Sequence, residues 1–288
     1  MADNNHACWN QLPKTPYPEL LNAGKGDKTM KSTSKPTGEE SMSRKILKTI
    51  EFAAFTLALL LSMAWSARAQ EQGRAPTYAN MAPLEQYIMA DRKAEIALAR
   101  SAAPASISND ATVLVLTRRG YETAVEGKNG FACLVDRAWQ APFADPEFWN
   151  PKVRAPVCLN PQAARSVLPI QLKRTELALA GLSKAKIMVR IKTAIEKKEL
   201  GLPEIGAMSY MMSNKQYLGD AFQHWQPHVM FYVPGTIKGD DWGANLPKSP
   251  VLAGPEQLPD GGREPVIVFV VPVSHWSDGA AAPEHGKR

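Results

Sequence analysis

Three histidines lie beside two apolar runs in the carboxy-terminal part of the chain. His224 and His228 stand at the start of the first run, residues 228–233, and His275 follows the second, residues 265–273. If the two runs pair as antiparallel strands, the start of one lies beside the end of the other, and the imidazoles converge. Neutral imidazoles are common zinc ligands, and three of them with a water make an open catalytic site. The pattern predicts a site for zinc or a similar divalent metal, and with it a hydrolase.

The spacing of these histidines does not match a known metal motif. The segment 224–228 lacks the glutamate of the helical HExxH signature, and Pro227 disfavours a helix there. Hydrogen-bonded residues at the ends of strands explain the same histidines without a metal. Both interpretations stay open.

Tryptophans in the same region indicate a second kind of chemistry. Trp225, Trp242 and Trp276 each adjoin a His or an Asp. An indole face can stack on the apolar face of a sugar or a similar ligand, while His and Asp bind the ligand's polar edges. The pattern predicts a site for a small molecule or a glycan, and packing in the core is the alternative role for each indole.

The cysteines indicate a structural role. Cys8 falls in a predicted leader, which leaves Cys133 and Cys158 as an even pair. Neither belongs to a CxxC motif or adjoins a histidine, so a disulfide is favoured over free buried thiols and over a catalytic or metal-binding thiol. A bridge between them would contribute about 3 kcal/mol by the loop-entropy estimate.

Signatures of nucleophilic catalysis are missing from the sequence. There is no GxSxG motif. Ser183 and Lys186 have the Ser-x-x-Lys spacing, but the Ser-Asp-Asn and Lys-Thr-Gly partners of that motif are absent. A helix cap is the simpler role for Ser183. Catalytic residues therefore stay unassigned.

The hydrophobic pattern places these candidates on helices and strands. It predicts a helix at 83–100, a meander of strands at 113–117, 121–125 and 131–135, helices at 161–181 and 183–200, and strands at 208–212, 228–233 and 265–273. Residues 137–161 are predicted to be an ordered surface loop. The turns of the meander are too short for crossovers, so its strands are expected to be antiparallel. The order predicts an α+β fold with a single antiparallel sheet of about five to seven strands and helices packed on one face.

The predicted helix at 183–200 is the strongest periodic signal. Isoleucines stand one turn apart between 187 and 195, which indicates a buried stripe. Lys186, Arg190 and Lys197 flank that stripe and could contact an anionic ligand or a membrane surface. A solvated helix face is the simpler interpretation.

Residues 42–69 have the organisation of a secretory signal peptide. A basic stretch at 44–48 precedes an apolar stretch at 52–65 and the small-residue site Ala67–Ala69, which predicts cleavage before Gln70. A spanning helix needs about 20 apolar residues, so a retained membrane anchor is the less favoured alternative. The protein is therefore expected to be exported and to be periplasmic or secreted, with no stable membrane span after cleavage.

The remaining segments have distinct compositions. Residues 1–41 are rich in polar residues, Pro and Gly, which predicts a disordered extension if they are translated. A start of translation at Met42, which puts the basic stretch at the amino terminus, is favoured over a start at Met30 and over an unusually long signal. Residues 70–82 are predicted to be a flexible lead-in, residues 83–279 a single α+β domain and residues 280–288 a disordered tail.

The charge balance argues against nucleic acid as a partner. The chain has 34 Lys and Arg against 28 Asp and Glu, and residues 1–69 hold 9 and 6 of these, which leaves 25 against 22. Nucleic-acid-binding domains normally carry a strongly basic face, whereas the remainder here is only mildly basic.

Four segments resemble a set of exported bacterial proteins to which no function is attached. They are Gly120–Gly127, Asn129–Phe131, Phe148–Pro151 and Trp242–Pro247. The resemblance implies bacterial origin and export, but it implies no activity and no site residues. With the patterns above, the sequence predicts a binding module for a small ligand, a glycan or an envelope component, with a metal-dependent hydrolase as the alternative.

Overall fold

One eight-stranded sheet organises residues 78–258 and 261–283, the part of the chain that a computed structural model describes. The strands are β1 (Thr112–Thr117), β2 (Gly120–Val125), β3 (Ala132–Asp136), β4 (Ala155–Leu159), β5 (Met208–Met211), β6 (His228–Pro234), β7 (Leu252–Ala253) and β8 (Val266–Pro272). The α-helices are α1 (Arg92–Arg100), α2 (Ala105–Ser108), α3 (Pro161–Ser166), α4 (Leu168–Leu179) and α5 (Lys184–Glu196). Short 3-10 helices occupy Leu84–Gln86, Ala138–Gln140 and Gly239–Trp242.

The sheet is mixed, with the strand order β2-β1-β3-β4-β5-β6-β8-β7. Strands β1 and β3 are parallel, and every other neighbouring pair is antiparallel. The α+β class is therefore confirmed, whereas the prediction of a purely antiparallel sheet of five to seven strands is wrong. The predicted meander fails because β3 pairs with β1 rather than with β2.

The character of the strands explains that placement. Strand β2 carries exposed and half-buried polar residues such as Glu122 and Thr123, which suits a sheet edge. Strand β3 is buried at all five residues, which requires neighbours and cover on both sides. The β2–β3 connection passes the start of β1 at close range: a Cβ on Gly127 would lie 2.1 Å from the Thr112 backbone nitrogen, so only glycine fits there.

Two strands lie where the sequence predicted none. Strand β4 falls within the predicted surface loop 137–161, a segment rich in Pro, Asp and Asn, which are residues typical of loops. Strand β7 has two residues and pairs with β8 at the end of the sheet. Such a short edge strand leaves no periodic signal in the sequence.

Helices cover both faces of the sheet. Side chains alternate along a strand, so Cys133 and Leu134 lie on opposite faces. Helix α1 packs through Ala99 on the face of Cys133, and α3 packs through Ala163 on the face of Leu134. We call these the α1 face and the α3 face. The prediction that helices pack on one face is therefore wrong, and both-sided cover explains why every residue of β3 and β4 is buried.

Helix boundaries follow local capping. Asp91 caps α1 by accepting bonds from the backbone nitrogens of the next turn, which separates α1 from the 3-10 helix before it and splits the predicted helix 83–100. Asn160 caps α3, and Pro161 occupies its first turn as predicted. Ser183 stands at the start of α5, but its side chain makes no capping bond, which corrects the expected cap.

Several predicted segments lie outside the described residues. They are the extension 1–41, the signal peptide 42–69, residues 70–77 of the lead-in and residues 284–288 of the tail. The described start of the tail is bonded to the domain, since the backbone nitrogen of Ala282 donates to the carbonyl oxygen of Ser274 at 2.8 Å. Within the described ranges, no helix combines the length and apolar character that a membrane crossing requires.

Candidate functional site

The predicted disulfide is present at the centre of the sheet. Cys133 and Cys158 face each other across β3 and β4 and are bonded to each other. Both are fully buried against α1. This disulfide therefore has a structural role in the core.

The three histidines have different surroundings. His228 is buried, and its Nδ1 lies 2.8 Å from the carbonyl oxygen of Gln226. A carbonyl only accepts, so Nδ1 carries the hydrogen in the neutral ring, and burial lowers the pKa of His228 to about 4. His224 and His275 are exposed; the ring of His224 lies 6.1 Å from that of Tyr217.

Strands β6 and β8 do pair antiparallel, with His228 opposite Pro272, as the metal hypothesis requires. Among the residues that the structure describes, however, no group of three or more His, Cys, Asp and Glu side chains is placed to hold a metal ion. The zinc-like site at His224, His228 and His275 gains no support from this geometry and stays a prediction.

The three tryptophans are not gathered into one site. The ring of Trp225 lies 4.7 Å from that of His228, while Trp242 contacts Phe231 and Phe269. His228 and Phe231 are three residues apart on β6, so they lie on opposite faces of the sheet. Trp276 is half-buried in the turn after β8.

Trp242 lies flat on an aromatic pair of the sheet. Its ring stacks on Phe269 with centroids 4.4 Å apart and an interplanar angle of 16°. Phe231, which is opposite Phe269 in the β6–β8 register, lies 6.1 Å from the indole. We call these three residues the aromatic platform. Phe269 is fully buried, whereas Trp242 is 41% exposed, so the indole is backed by the core on one side and remains accessible to solvent.

The loop that carries Trp242 is braced by polar contacts. Glu256 accepts a bond from the Gly239 backbone nitrogen at 2.5 Å and pairs with Arg263 at 2.9 Å. The guanidinium of Arg263 also donates to the carbonyl oxygens of Gly235 and Ile237. These bonds tie both ends of the loop together, so the position of the indole is set before any ligand arrives.

Polar groups border the platform. Asp240 and Asp241 directly precede Trp242 and are exposed. Asn245 makes a reciprocal pair of bonds with the backbone of Ala253, both at 3.1 Å, which fixes the chain after the indole. A flat apolar surface next to carboxylates suits a ligand with an apolar face and hydroxyl groups at its edge.

Buried charges form a second cluster that the sequence did not predict. Glu95 and Arg137 make an ion pair at 2.8 Å with both side chains almost fully buried. The same carboxylate accepts from the Leu116 backbone nitrogen at 3.2 Å, and the guanidinium donates to the carbonyl oxygen of Tyr87 at 2.7 Å. The one signal in the sequence was a charged pair, Asp136-Arg137, directly after the apolar run 131–135.

Comparison of the chain with protein-family models, with curated protein sequences and with solved structures finds no match. The fold and the site define an architectural class: an α+β domain with a mixed eight-stranded sheet, helices on both faces and a disulfide at its centre. The resemblance to exported bacterial proteins stays a prediction.

Proposed function

We propose that the protein is an exported binding module whose aromatic platform binds a glycan. The observation that carries this proposal is the indole of Trp242, which is stacked on the buried Phe269 at 4.4 Å and is 41% exposed. A large aromatic face that is both exposed and rigidly backed is the surface on which the apolar face of a sugar ring stacks.

Preorganisation supports a binding role. Glu256, Arg263 and Asn245 hold the loop around the indole, so a ligand meets a surface whose conformational entropy is already low. Asp240 and Asp241 supply acceptors for hydroxyl groups at the ligand's edge.

Export is proposed from the predicted signal peptide at 42–69. The buried disulfide between Cys133 and Cys158 is compatible with it, because disulfides persist in the periplasm and outside the cell. The alternative function, a metal-dependent hydrolase, has no comparable support among the described residues.

The test is a titration of the purified protein with a panel of neutral and amino-sugar oligosaccharides, followed by calorimetry and tryptophan fluorescence. We expect binding by at least one glycan and a loss of at least about tenfold in affinity for Trp242→Ala, since an aromatic contact contributes about 1 kcal/mol beyond its buried area. Trp276→Ala is the matched control and should bind as the unmodified protein does. Equal affinities for both variants, or no binding across the panel, would refute the proposal.

A further inference from the structure

The segment 186–205 combines exposed apolar side chains with positive charge. Three of the large hydrophobic residues that are exposed lie between 189 and 205: Val189 at 56%, Leu202 at 49% and Ile205 at 100%. Single exposed apolar residues are common on soluble proteins. These three differ because they lie in, or shortly after, a basic helix.

The helix and the residues after it are strongly cationic. Residues 184–199 contain six Lys and Arg against two Glu. Lys186, Arg190 and Lys197 form no ion pair with any residue in the described ranges. Their charge is therefore not neutralised within that part of the molecule.

Because α5 packs against the domain through one side, these three charged residues lie together on its exposed side. Ile187, Ile191 and Ala194 are its buried residues. At 100° per residue, Lys186, Arg190 and Lys197 fall within about 40° of one another on the exposed side. They form a single cationic stripe along the helix.

The segment after α5 holds Ile205 in the solvent. Glu204 pairs with Arg165 at 2.6 Å, and its backbone nitrogen donates to Ser166 Oγ at 3.0 Å. On the other side, the carbonyl oxygen of Gly206 accepts from Asn160 Nδ2 at 2.9 Å. Ile205 is thus at the tip of a turn whose neighbours are anchored, a position where polar residues are usual.

We propose that the exposed residues of segment 186–205 form one surface that docks on an anionic phospholipid bilayer. We call it the α5 patch; it consists of Lys186, Val189, Arg190, Lys197, Leu202 and Ile205. The cationic stripe would bind the headgroups, and the apolar tip would enter the interface, which is the arrangement of peripheral membrane proteins. The proposal goes beyond glycan binding and does not depend on it.

The experiment places an environment-sensitive fluorophore on the full chain by Ile205→Cys in a Cys8→Ser background, since Cys133 and Cys158 are bonded to each other. The fluorophore reports on the surroundings of residue 205, so contacts that other parts of the chain make with the vesicle do not produce its signal. Vesicles contain phosphatidylcholine alone or with one third phosphatidylglycerol. We expect a blue shift only with the anionic vesicles, and at least tenfold weaker binding at high salt.

A charge variant and a matched control test the stripe. Arg190→Glu with Lys197→Glu should weaken binding at least tenfold. Arg92→Glu with Lys93→Glu makes the same change of charge on exposed residues of α1 and should leave binding unchanged. Circular dichroism checks that both variants fold.

Three outcomes would overturn the proposal. They are no shift at residue 205 with either vesicle, the same shift with neutral vesicles, and equal losses in the two charge variants. A soluble acidic protein that binds the patch while anionic vesicles do not would show that the surface has a different partner.

Discussion

At the scale of single residues, the most unusual group is the carboxyl of Asp136 at the end of β3. It is buried, and Gln171 Nε2 donates to its Oδ2 at 3.1 Å. Neither Oδ1 of Asp136 nor Oε1 of Gln171 has a partner among the described residues. A proton on Oδ1 would give both atoms a partner, because the protonated carboxyl group would donate a hydrogen bond to Oε1 of Gln171.

The electrostatics agree with a protonated carboxyl. Burial raises the pKa of Asp136 to about 7, although the neighbouring guanidinium groups of Arg137 and Arg174 favour the charged form. This folded-state pKa is above the usual value of 3.8, so the group contributes stability at low pH that is lost as the pH rises through 7.

Asp136→Asn tests this assignment. The asparagine keeps both bonds of the pair without a titrating group. The unmodified protein should therefore lose stability as the pH rises, whereas the variant should not. Between pH 5 and pH 8, we expect the free energy of unfolding of the unmodified protein to fall by roughly 2 to 3 kcal/mol relative to the variant. Urea unfolding at both pH values measures the difference. Parallel pH profiles would show that Asp136 is charged in the fold.

His228 affects stability with the opposite pH dependence. Its folded-state pKa, about 4, is below the usual 6.5, so burial stabilises the neutral ring. The contribution of His228 to stability is complete above pH 6.5 and is lost as the pH falls toward 4. Because this effect is common to both proteins in the Asp136 comparison, it cancels there.

At the scale of elements, the placement of β3 depends on one glycine. A Cβ on Gly127 would lie 2.1 Å from the Thr112 nitrogen and 2.3 Å from the carbonyl carbon of Ala111. Those neighbours are backbone atoms that begin β1, so they cannot move without disturbing the strand. The chain can pass β1 and pair β3 on its far side only because residue 127 has no side chain.

Gly127→Ala should therefore destabilise the fold by about 3 kcal/mol or more, which is the upper range for overpacking. Gly201→Ala is the matched control, because a Cβ there meets nothing within 4 Å and its φ is not positive. Urea unfolding of the two variants measures the contrast. If both variants unfold at the same urea concentration as the unmodified protein, the close approach does not constrain the connection.

At the scale of the whole molecule, one carboxylate joins distant segments. Asp220 accepts from the hydroxyl groups of Tyr78 at 2.6 Å and Tyr217 at 2.5 Å, and from Lys152 Nζ at 3.0 Å. Glu147 strengthens the junction by accepting from the Asp220 backbone nitrogen at 2.7 Å. This cluster attaches the described end of the lead-in to the domain.

Asp220→Asn should release that attachment. An amide cannot accept at both atoms, so we expect amide hydrogen exchange in residues 78–90 to rise by roughly tenfold while the sheet is unchanged. Asp278→Asn, which removes a carboxylate bonded to Asn214, serves as the control. The donors lower the pKa of Asp220 to about 2, so the unmodified protein should loosen in the same way only as the pH falls from about 4 toward 2. Unchanged exchange in the variant would contradict this role.

Features that depend on a short stretch of sequence were predicted correctly. The start of α3 at Asn160-Pro161 and the apolar runs of β6 and β8 depend on residues within one turn or one strand. The even cysteine pair needed only a count and the expectation of an oxidising compartment. Strand β4 was missed because residues 137–161 are rich in Pro, Asp and Asn, a composition typical of loops.

The sequence by itself determined the α+β class, the disulfide pair and the tryptophans to consider. Only the tertiary structure decided that β3 lies beside β1, that helices cover both faces and that Trp242 rests on Phe269 while Trp225 covers His228. The physical reason is range: propensity and periodicity act between neighbours along the chain. Pairing, burial and stacking join residues that are far apart in sequence, such as Glu95 with Arg137, and their energies depend on the whole packed arrangement.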